Sequence, residues 1–253
     1  MGAEFEAYLD RLRDTLVDRQ GVLGLVLLGS TAERDRVDEW SDHDLVVITI
    51  EGEQEDMRQD LDWLPAHERI AFAVRETEHG LKVVYDDARV VELAVASLGE
   101  LSTFRANRYE VVIDRADVAD RMRSISLHPV EPADDLAAMR MFLTLVLIGT
   151  GRARRGEVLA GGQFVRAHAT EHLLTVVRGR VAAPGLDRLD DLDPWRRVEL
   201  VHPQLGAELG AAQASGVEEC GRALLDVADR YLAPAWPDYP VDEVAVVRRR
   251  LGW

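Results

Sequence analysis

The sequence has 253 residues, of which 47% are hydrophobic and 30% are charged, and its formal net charge is −16 at pH 7. This composition is typical of a globular protein, and the length allows one large domain or two small ones. We find no apolar run long enough to cross a bilayer and no apolar segment before Glu4, which predicts a cytoplasmic protein without membrane association. The single cysteine, Cys220, excludes an internal disulfide, and we expect it to be buried on a helix.

The excess of acidic over basic residues indicates which kinds of partner the protein can bind. Phosphate contacts need a basic surface, so we expect no stable binding of nucleic acid. An acidic surface can concentrate a cationic substrate, or it can simply serve solubility. Residues 1–130 carry 28 acidic and 15 basic residues, whereas residues 131–253 carry 18 and 15, which favours a chain of two parts. Lys82, the only lysine, is either a solvated residue of a hairpin or a phosphate contact.

The first elements are a helix and two strands. The apolar residues of Glu4–Gln20 recur at helical spacing, and Gly21 is suited to end that helix. Two short apolar runs, Val22–Leu28 and Leu45–Ile50, are bounded by turn residues. They predict a pair of buried strands.

Gly29 and Ser30 directly follow the first of these strands. Because Gly29 has no Cβ, a phosphate could approach its backbone closely. Ser30 is suited to cap a short helix over Thr31–Arg36, and the N-terminus of a helix favours an anion.

Asp42 and Asp44 precede the second apolar run. Side chains alternate along a strand, so both carboxylates are expected on one face and His43 on the other. Two adjacent carboxylates repel each other unless a cation lies between them, and Mg²⁺ is the cation that such hard oxygens prefer. A phosphate-binding Gly-Ser beside a Mg²⁺ site predicts phosphoryl or nucleotidyl transfer.

The combined motif resembles the signature of the DNA polymerase β-type nucleotidyltransferase superfamily. In this chain Leu28-Gly29-Ser30 is followed, after a gap of eleven residues, by Asp42-His43-Asp44-Leu45. The sequence GSTA…SDHDLVV is most similar to the aminoglycoside (streptomycin-type) branch. Between the two aspartates, His43 replaces the commoner Ile or Leu. The resemblance implies a pair of Mg²⁺ ions at the two aspartates, with the phosphates of ATP or another NTP held by Gly29 and Ser30.

Glu92 lies within the apolar run Arg89–Val95, which forms a predicted hairpin with Leu81–Tyr85. An unpaired glutamate is costly to bury, so Glu92 lies either on a solvated face of the sheet or in a site. The resemblance implies a third acid beside Asp42 and Asp44. That acid acts as a metal ligand or as the base that takes the proton of the acceptor hydroxyl.

Five further elements complete the first half. They are a helix within Glu51–Asp62, a strand over Ile70–Val74, a helix over Leu98–Phe104, a strand over Tyr109–Ile113 and a helix over Asp117–Ser124. The proline-rich segment His128–Pro132 is the predicted linker. We therefore expect an α+β chain, with a mixed-sheet nucleotidyltransferase domain over residues 1–130 and a helical bundle over residues 131–253.

The second half is helical in pattern. Leu136–Gly149 is apolar nearly all round, which predicts the central helix of the bundle, too soon interrupted by glycines to cross a membrane. The other predicted helices are Phe164–Arg178, one that begins at Asp193-Pro194, Val217–Leu232 and Val241–Leu251.

The resemblance implies that the helical half closes over nucleotide and acceptor. Arginines of this half could then contact the triphosphate, and acidic residues could contact a cationic acceptor; otherwise these side chains form solvated faces or helix caps. The arginines are Arg152, Arg154, Arg155 and Arg166, and the acids are Glu157, Asp190, Asp191 and Asp193. His168 and His172 have the spacing of metal ligands on a helix, but no third ligand accompanies them.

The sequence thus predicts a Mg²⁺-dependent transfer of a nucleoside monophosphate, AMP from ATP, to a hydroxyl of a small acceptor such as an aminoglycoside, with release of pyrophosphate. Arg166 and His172 also resemble the Arg–His motif of the helical HEPN ribonucleases, which are partnered with small nucleotidyltransferases. This implies an alternative, a toxin–antitoxin component that acts on a protein or RNA. A third hypothesis for the function is a nucleotide-binding scaffold without turnover.

Overall fold

The structure, a computed structural model, describes residues 2–127 and 133–253. The chain folds as two compact units, Met1–Pro129 and Val130–Trp253. The first unit contains a six-stranded mixed sheet and the second is helical, which confirms the predicted α+β class. The predicted linker His128–Pro132 lies outside the described residues.

The sheet of the first unit positions the candidate site. Its strands are β1 (Val22–Leu28), β2 (His43–Thr49), β3 (Ile70–Arg75), β4 (Gly80–Tyr85), β5 (Val90–Ser97) and β6 (Tyr109–Asp114). They lie in the order β3-β4-β5-β2-β1-β6. The pair β2–β5 is parallel and the other four pairs are antiparallel.

Helices cover both faces of the central strands. The helices of this unit are α1 (Gly2–Val17), α2 (Gly29–Ala32), α3 (Gln54–Gln59), α4 (Leu98–Leu101) and α5 (Val118–Ser126). Helix α1 packs with Leu27 and Val47 on one face, and α5 packs with Val26 and Ile48 on the other. Because both faces of β1 and β2 are buried, these strands have continuous apolar runs rather than an alternating pattern.

Two predictions at the ends of β1 are wrong. Helix α2 begins at Gly29, and a 3₁₀ turn then covers Arg34–Arg36, so Ser30 is the second residue of a one-turn helix and not its cap. Helix α1 ends at Val17, and Gly21 lies in the turn into β1 with φ of +83°. In both places the helix boundary differs from the one that local propensity favours.

The second unit is built around one long helix. Its helices are α6 (Asp135–Arg154), α7 (Val158–Gly162), α8 (Thr170–Arg180), α9 (Val198–Val201), α10 (Pro203–Ala214), α11 (Val217–Tyr231) and α12 (Val241–Leu251). Met139, Phe142 and Val146 of α6 are fully buried in the core of this unit. Cys220 of α11 is buried in the same core, as predicted.

Helix α6 is longer than its sequence suggested, because it continues through Gly149 and Gly151 to Arg154. By length and composition alone it could cross a membrane, and 44% of its most apolar window is buried inside the unit. This apolar character is explained by its position, since α6 is the helix that the rest of the unit packs against.

Two other helix predictions in this unit need correction. The segment from Val158 to Arg180 is continuous, with a π-helical stretch over Gln163–Ala169 between α7 and α8, so the predicted helix Phe164–Arg178 has neither the predicted start nor a uniform α geometry. Asp193-Pro194 opens a turn rather than a helix, because the Asp193 carboxylate accepts a hydrogen bond of 2.9 Å from the amide of Trp195.

Candidate functional site

Three side chains of different strands stand in one row across the sheet. The parallel pairing of β2 with β5 places Asp44 opposite Glu92, and the antiparallel pairing of β5 with β4 places Lys82 opposite Glu92. Residues that are direct cross-strand partners point to the same face of a sheet. The register of three strands therefore brings two acids and a lysine together.

Asp42, which directly precedes β2, joins this row. One carboxylate oxygen from each of Asp42, Asp44 and Glu92 lies within 4.8 Å of the other two, and all three residues are partly exposed. Ligands on opposite sides of a Mg²⁺ ion are about 4.2 Å apart, since each lies at about 2.1 Å from the ion. The three oxygens thus fit a hard divalent cation.

Gly29 lies directly against this cluster. Its φ is +52°, and a Cβ at this position would lie 2.8 Å from Oδ2 of Asp44. Any larger residue would therefore be strained and would push on the Asp44 carboxylate. The backbone after β1 therefore lies in close contact with the acidic cluster.

Thr31 is a site residue that the sequence reasoning did not single out. It is fully buried, and its hydroxyl donates to the carbonyl of Asp42 at 3.3 Å and accepts from the amide of Asp44 at 2.9 Å. This pair of bonds fixes α2 to the backbone that carries both aspartates. The feature of the sequence that could have indicated this role is the position of Thr31, a small side chain with a hydroxyl that directly follows Gly-Ser at a turn.

His43 faces the opposite side of β2, as predicted. Its ring stacks on Phe5 with centroids 3.8 Å apart and contacts Tyr8, and the residue is 2% exposed. Burial lowers the pKa of His43 to about 4, so it is neutral near pH 7. It anchors the start of β2 to α1 and adds no charge to the cluster.

Glu92 already has a cationic partner. The ammonium of Lys82 lies 2.9 Å from Oε1 of Glu92 and 3.1 Å from Oε1 of Glu76. These two bonds raise the pKa of Lys82, with Glu92 the larger cause. Lys82 is therefore a charged member of the carboxylate row.

An acidic cavity of about 690 Å³ opens beside the cluster. Asp42 and Glu92 line it, together with Glu4, Glu39 and the indole of Trp40, which is 85% exposed. Gly29 and Ser30 do not line it. The cavity therefore adjoins Asp42 and Glu92 and not the Gly29-Ser30 backbone.

Arg89 also lines this cavity, where its charge is paired with a carboxylate of the same wall. The guanidinium of Arg89 pairs with Asp87 at 3.2 Å and lies over the ring of Tyr8, 5.3 Å from its centroid. The remaining charged side chains of the cavity wall are carboxylates. The wall thus suits a positively charged molecule that has a ring or an apolar surface to place on Trp40.

Solved structures of other proteins resemble the whole chain. One is an aminoglycoside 6-adenyltransferase from Bacillus subtilis, at 10% identity, with 98% of this chain and 92% of that chain covered and a TM-score of 0.34. Another is a nucleotidyltransferase-like protein from Exiguobacterium sibiricum, at 13% identity, 98% and 88% coverage and a TM-score of 0.38. A third is the STING-associated CdnE c-di-GMP synthase from Capnocytophaga granulosa, at 12% identity, 99% and 80% coverage and a TM-score of 0.28.

No family model matches the chain, and no curated protein does.

The arginines predicted to contact a triphosphate lie in the second unit. Arg166 belongs to the π-helical stretch, and its guanidinium donates to the carbonyl of Ser215 at 2.5 Å. The others are engaged as well: Arg152 lies over the ring of Phe164, Arg154 pairs with Glu218, and Arg155 pairs with Glu157. A triphosphate contact by Arg166 stays a prediction.

The acidic run of the second unit is used within that unit. Asp190 is buried and pairs with Arg197 at 3.1 Å, and Asp191 pairs with Arg178. His168 and His172 join no group of three metal-ligating side chains in the described part of the chain, where Asp42, Asp44 and Glu92 form the group that could hold a metal.

Proposed function

We propose that this protein is a Mg²⁺-dependent nucleotidyltransferase that moves a nucleoside monophosphate, AMP from ATP, to a hydroxyl of a small cationic acceptor. The single observation that carries this proposal is the convergence of Asp42, Asp44 and Glu92 beside Gly29. Three carboxylates within 4.8 Å repel each other strongly, and this cost is offset if they serve to bind a metal.

Asp42 and Asp44 are proposed to hold the metal, and Gly29 and Ser30 the phosphates through their backbone amides. When bound, Mg²⁺ supplies charge neutralisation at the reacting phosphate and orients the triphosphate. The acceptor oxygen attacks the α-phosphorus, the bond to the bridging oxygen of the β-phosphate breaks, and pyrophosphate leaves. Glu92 either completes the metal site or takes the proton of the attacking hydroxyl.

The acidic cavity supports a cationic acceptor. It adjoins Asp42 and Glu92, so an acceptor bound in it could bring a hydroxyl close to these carboxylates. Glu4 and Glu39 could meet the ammonium groups of an aminoglycoside, and Trp40 could stack on one of its rings. The second unit is proposed to act as the domain that closes over nucleotide and acceptor, with Arg166 as a phosphate contact.

The first experiment is a thermal-stability panel of NTPs, with and without Mg²⁺. A ligand that binds only the native state stabilises it by about 2.7 kcal/mol at a hundredfold excess over its Kd. We expect ATP to raise the melting temperature only when Mg²⁺ is present, and the double variant Asp42→Asn/Asp44→Asn to show no response.

An acceptor screen then separates the two transfer hypotheses. Pyrophosphate release that depends on an aminoglycoside would support the hypothesis that the acceptor is a small molecule. Nucleotide incorporation into a co-purifying protein or RNA would favour the toxin–antitoxin alternative. A wild-type protein whose stability responds to no NTP would contradict both, and would leave the chain without an independent nucleotide site.

A further inference from the structure

The contact between Lys82 and Glu92 is unusual for a lysine on a sheet surface, because its partner belongs to the carboxylate cluster. Lys82 and Glu92 are each about one-third exposed, at 36% and 37% of the side chain, so the pair is neither fully solvated nor buried. The cross-strand register, and not a chance rotamer, puts the two side chains on the same face of neighbouring strands.

Lys82 is also held from its other side. Glu76, the residue after β3, accepts a second contact from the same ammonium at 3.1 Å. The lysine therefore bridges the end of β3 to the acidic row, and its charge lies beside Glu92, one of the three carboxylates of the cluster. A positive charge at that position does, in part, what a bound metal would do.

We propose that Lys82 is the internal counter-ion of the cluster: it holds Glu92 beside Asp44 before a metal binds, and it lowers the affinity of the cluster for that metal. This inference rests on the proposed function, since it takes the three carboxylates to be a metal site. In this role Lys82 is a positioning residue, because it acts through Glu92.

The physical reason is a competition between two cations for one carboxylate. A metal ion that binds Glu92 must share that side chain with the ammonium, and two like charges so close together repel each other. The repulsion is reduced by the solvent exposure of the pair and by salt, but it is not abolished at this range. A cluster weakened in this way favours a metal that brings further ligands with it, such as the phosphate oxygens of an NTP.

The test is a calorimetric titration of the full chain with Mn²⁺ alone, in the absence of nucleotide. We expect Lys82→Met to bind Mn²⁺ about fivefold to tenfold more tightly than the wild type, because the competing charge is gone. Lys82→Arg keeps the charge and is expected to restore wild-type affinity. Lys82→Gln provides a second neutral variant if Lys82→Met does not fold.

Arg13→Met is the matched control. It also removes one positive charge, and its ion pairs with Asp10 and Asp14 lie within α1. We expect it to leave the Mn²⁺ affinity unchanged. Thermal unfolding without metal provides a second readout, in which Lys82→Met should melt below the wild type and gain more from saturating Mn²⁺.

An unchanged or weaker Mn²⁺ affinity in both neutral variants would overturn the inference and would make Lys82 a structural residue only. Asp44→Asn distinguishes that failure from a failure of the proposed function. If Asp44→Asn binds Mn²⁺ as well as the wild type does, the carboxylates are not the metal site, and the role of Lys82 falls with it.

Discussion

Single residues around β2 determine whether the carboxylates can act together. Asp44 is bounded by Gly29 on one side, by the hydroxyl of Thr31 at its amide and by Glu92 across the strand. Each neighbour acts on Asp44 in a different way. Gly29 acts through its close approach, Thr31 through a buried hydrogen bond, and Glu92 through the register of the strands. Substitutions that remove one of these interactions are therefore expected to have separable effects.

Gly29→Ala should weaken both folding and metal binding. The left-handed φ costs an alanine about 1–2 kcal/mol, and its Cβ would displace the Asp44 carboxylate. Urea unfolding and Mn²⁺ titration measure the two effects. Gly52→Ala is the matched control, because Gly52 also has a positive φ but nothing lies within 4 Å of its added Cβ. If both variants bind Mn²⁺ like the wild type, the close approach of Gly29 has no part in the site.

Thr31→Val should lower the free energy of unfolding by about 1–3 kcal/mol, because it leaves the amide of Asp44 without its buried hydroxyl partner. Valine has nearly the shape of threonine, so packing around position 31 is retained. Thr31→Ser keeps the hydroxyl and is expected to bind metal as the wild type does. Equal stability of Thr31→Val and the wild type, measured by urea unfolding, would show that the bond contributes nothing.

At the scale of elements, pairing between distant strands assembles the site. Strands β2 and β5 are parallel neighbours, and the chain between them forms α3, β3 and β4, of which β3 and β4 extend the same sheet beyond β5. The hairpin β4–β5 then carries Lys82 and Glu92 as direct partners. The end of β6 matters as well, because Asp114 there caps the start of α5, which covers the face of β1 and β2 opposite to α1.

Asp114→Asn should destabilise the protein at neutral pH but not in acid. Hydrogen bonds from the amides of Ala119 and Val118 lower the pKa of the Asp114 carboxyl. A depressed folded pKa contributes stability above the unfolded pKa of about 3.9, and that contribution is lost as pH falls through the folded value. Urea unfolding of wild type and variant should therefore differ at pH 7, and the difference should shrink as pH falls below about 4 and vanish below the folded pKa of Asp114.

Asp120→Asn makes the same charge change on the exposed side of α5, where Asp120 pairs with Arg123. We expect it to stay within about 0.5 kcal/mol of the wild type at every pH. A loss for Asp114→Asn that persisted unchanged below the unfolded pKa would contradict the capping role and would indicate a packing defect.

At the scale of the whole molecule, the charge is the dominant feature. The formal net charge is −16, and the first unit, which contains the acidic cavity, holds most of it. A negative field of this kind attracts cations from a distance and is screened by salt.

Binding of a cationic aminoglycoside should therefore weaken by about threefold to tenfold between low and high ionic strength, as measured by calorimetry. Glu39→Gln should reduce this salt dependence, because Glu39 lies at the wall of the cavity. A neutral sugar of similar size is the control and should show no salt dependence. An aminoglycoside affinity that is independent of salt would argue against electrostatic capture.

Local patterns predicted much of the first unit. The apolar runs gave β1 with its observed bounds, and the helical spacing in the second unit gave α12 with its observed bounds and α11 nearly so. The alternation of side chains along a strand correctly put His43 in the core and the two aspartates opposite to it. Such features depend on neighbouring residues, so the sequence contains them directly.

Features that depend on packing were harder to predict from the sequence. The predicted cap at Ser30, the start of a helix at Pro194 and the end of α6 at Gly149 each followed local propensity, and in each the folded chain behaves differently. Propensities amount to less than about 1 kcal/mol per residue, so contacts with the rest of the unit override them. The π-helical stretch around Arg166 had no signal in the sequence.

By itself the sequence determined the α+β class, the Gly-Ser and Asp-x-Asp motif and the acidic charge, because composition and short-range periodicity are properties of adjacent residues. Only the tertiary structure decided that Glu92 reaches Asp44, that Thr31 fixes the backbone of both aspartates and that Lys82 pairs with Glu92. These contacts join residues that are 10 to 48 positions apart. The β4–β5 hairpin was predicted from a local pattern, but the exact register of the strands and the packing of α2 depend on residues that are distant in the sequence.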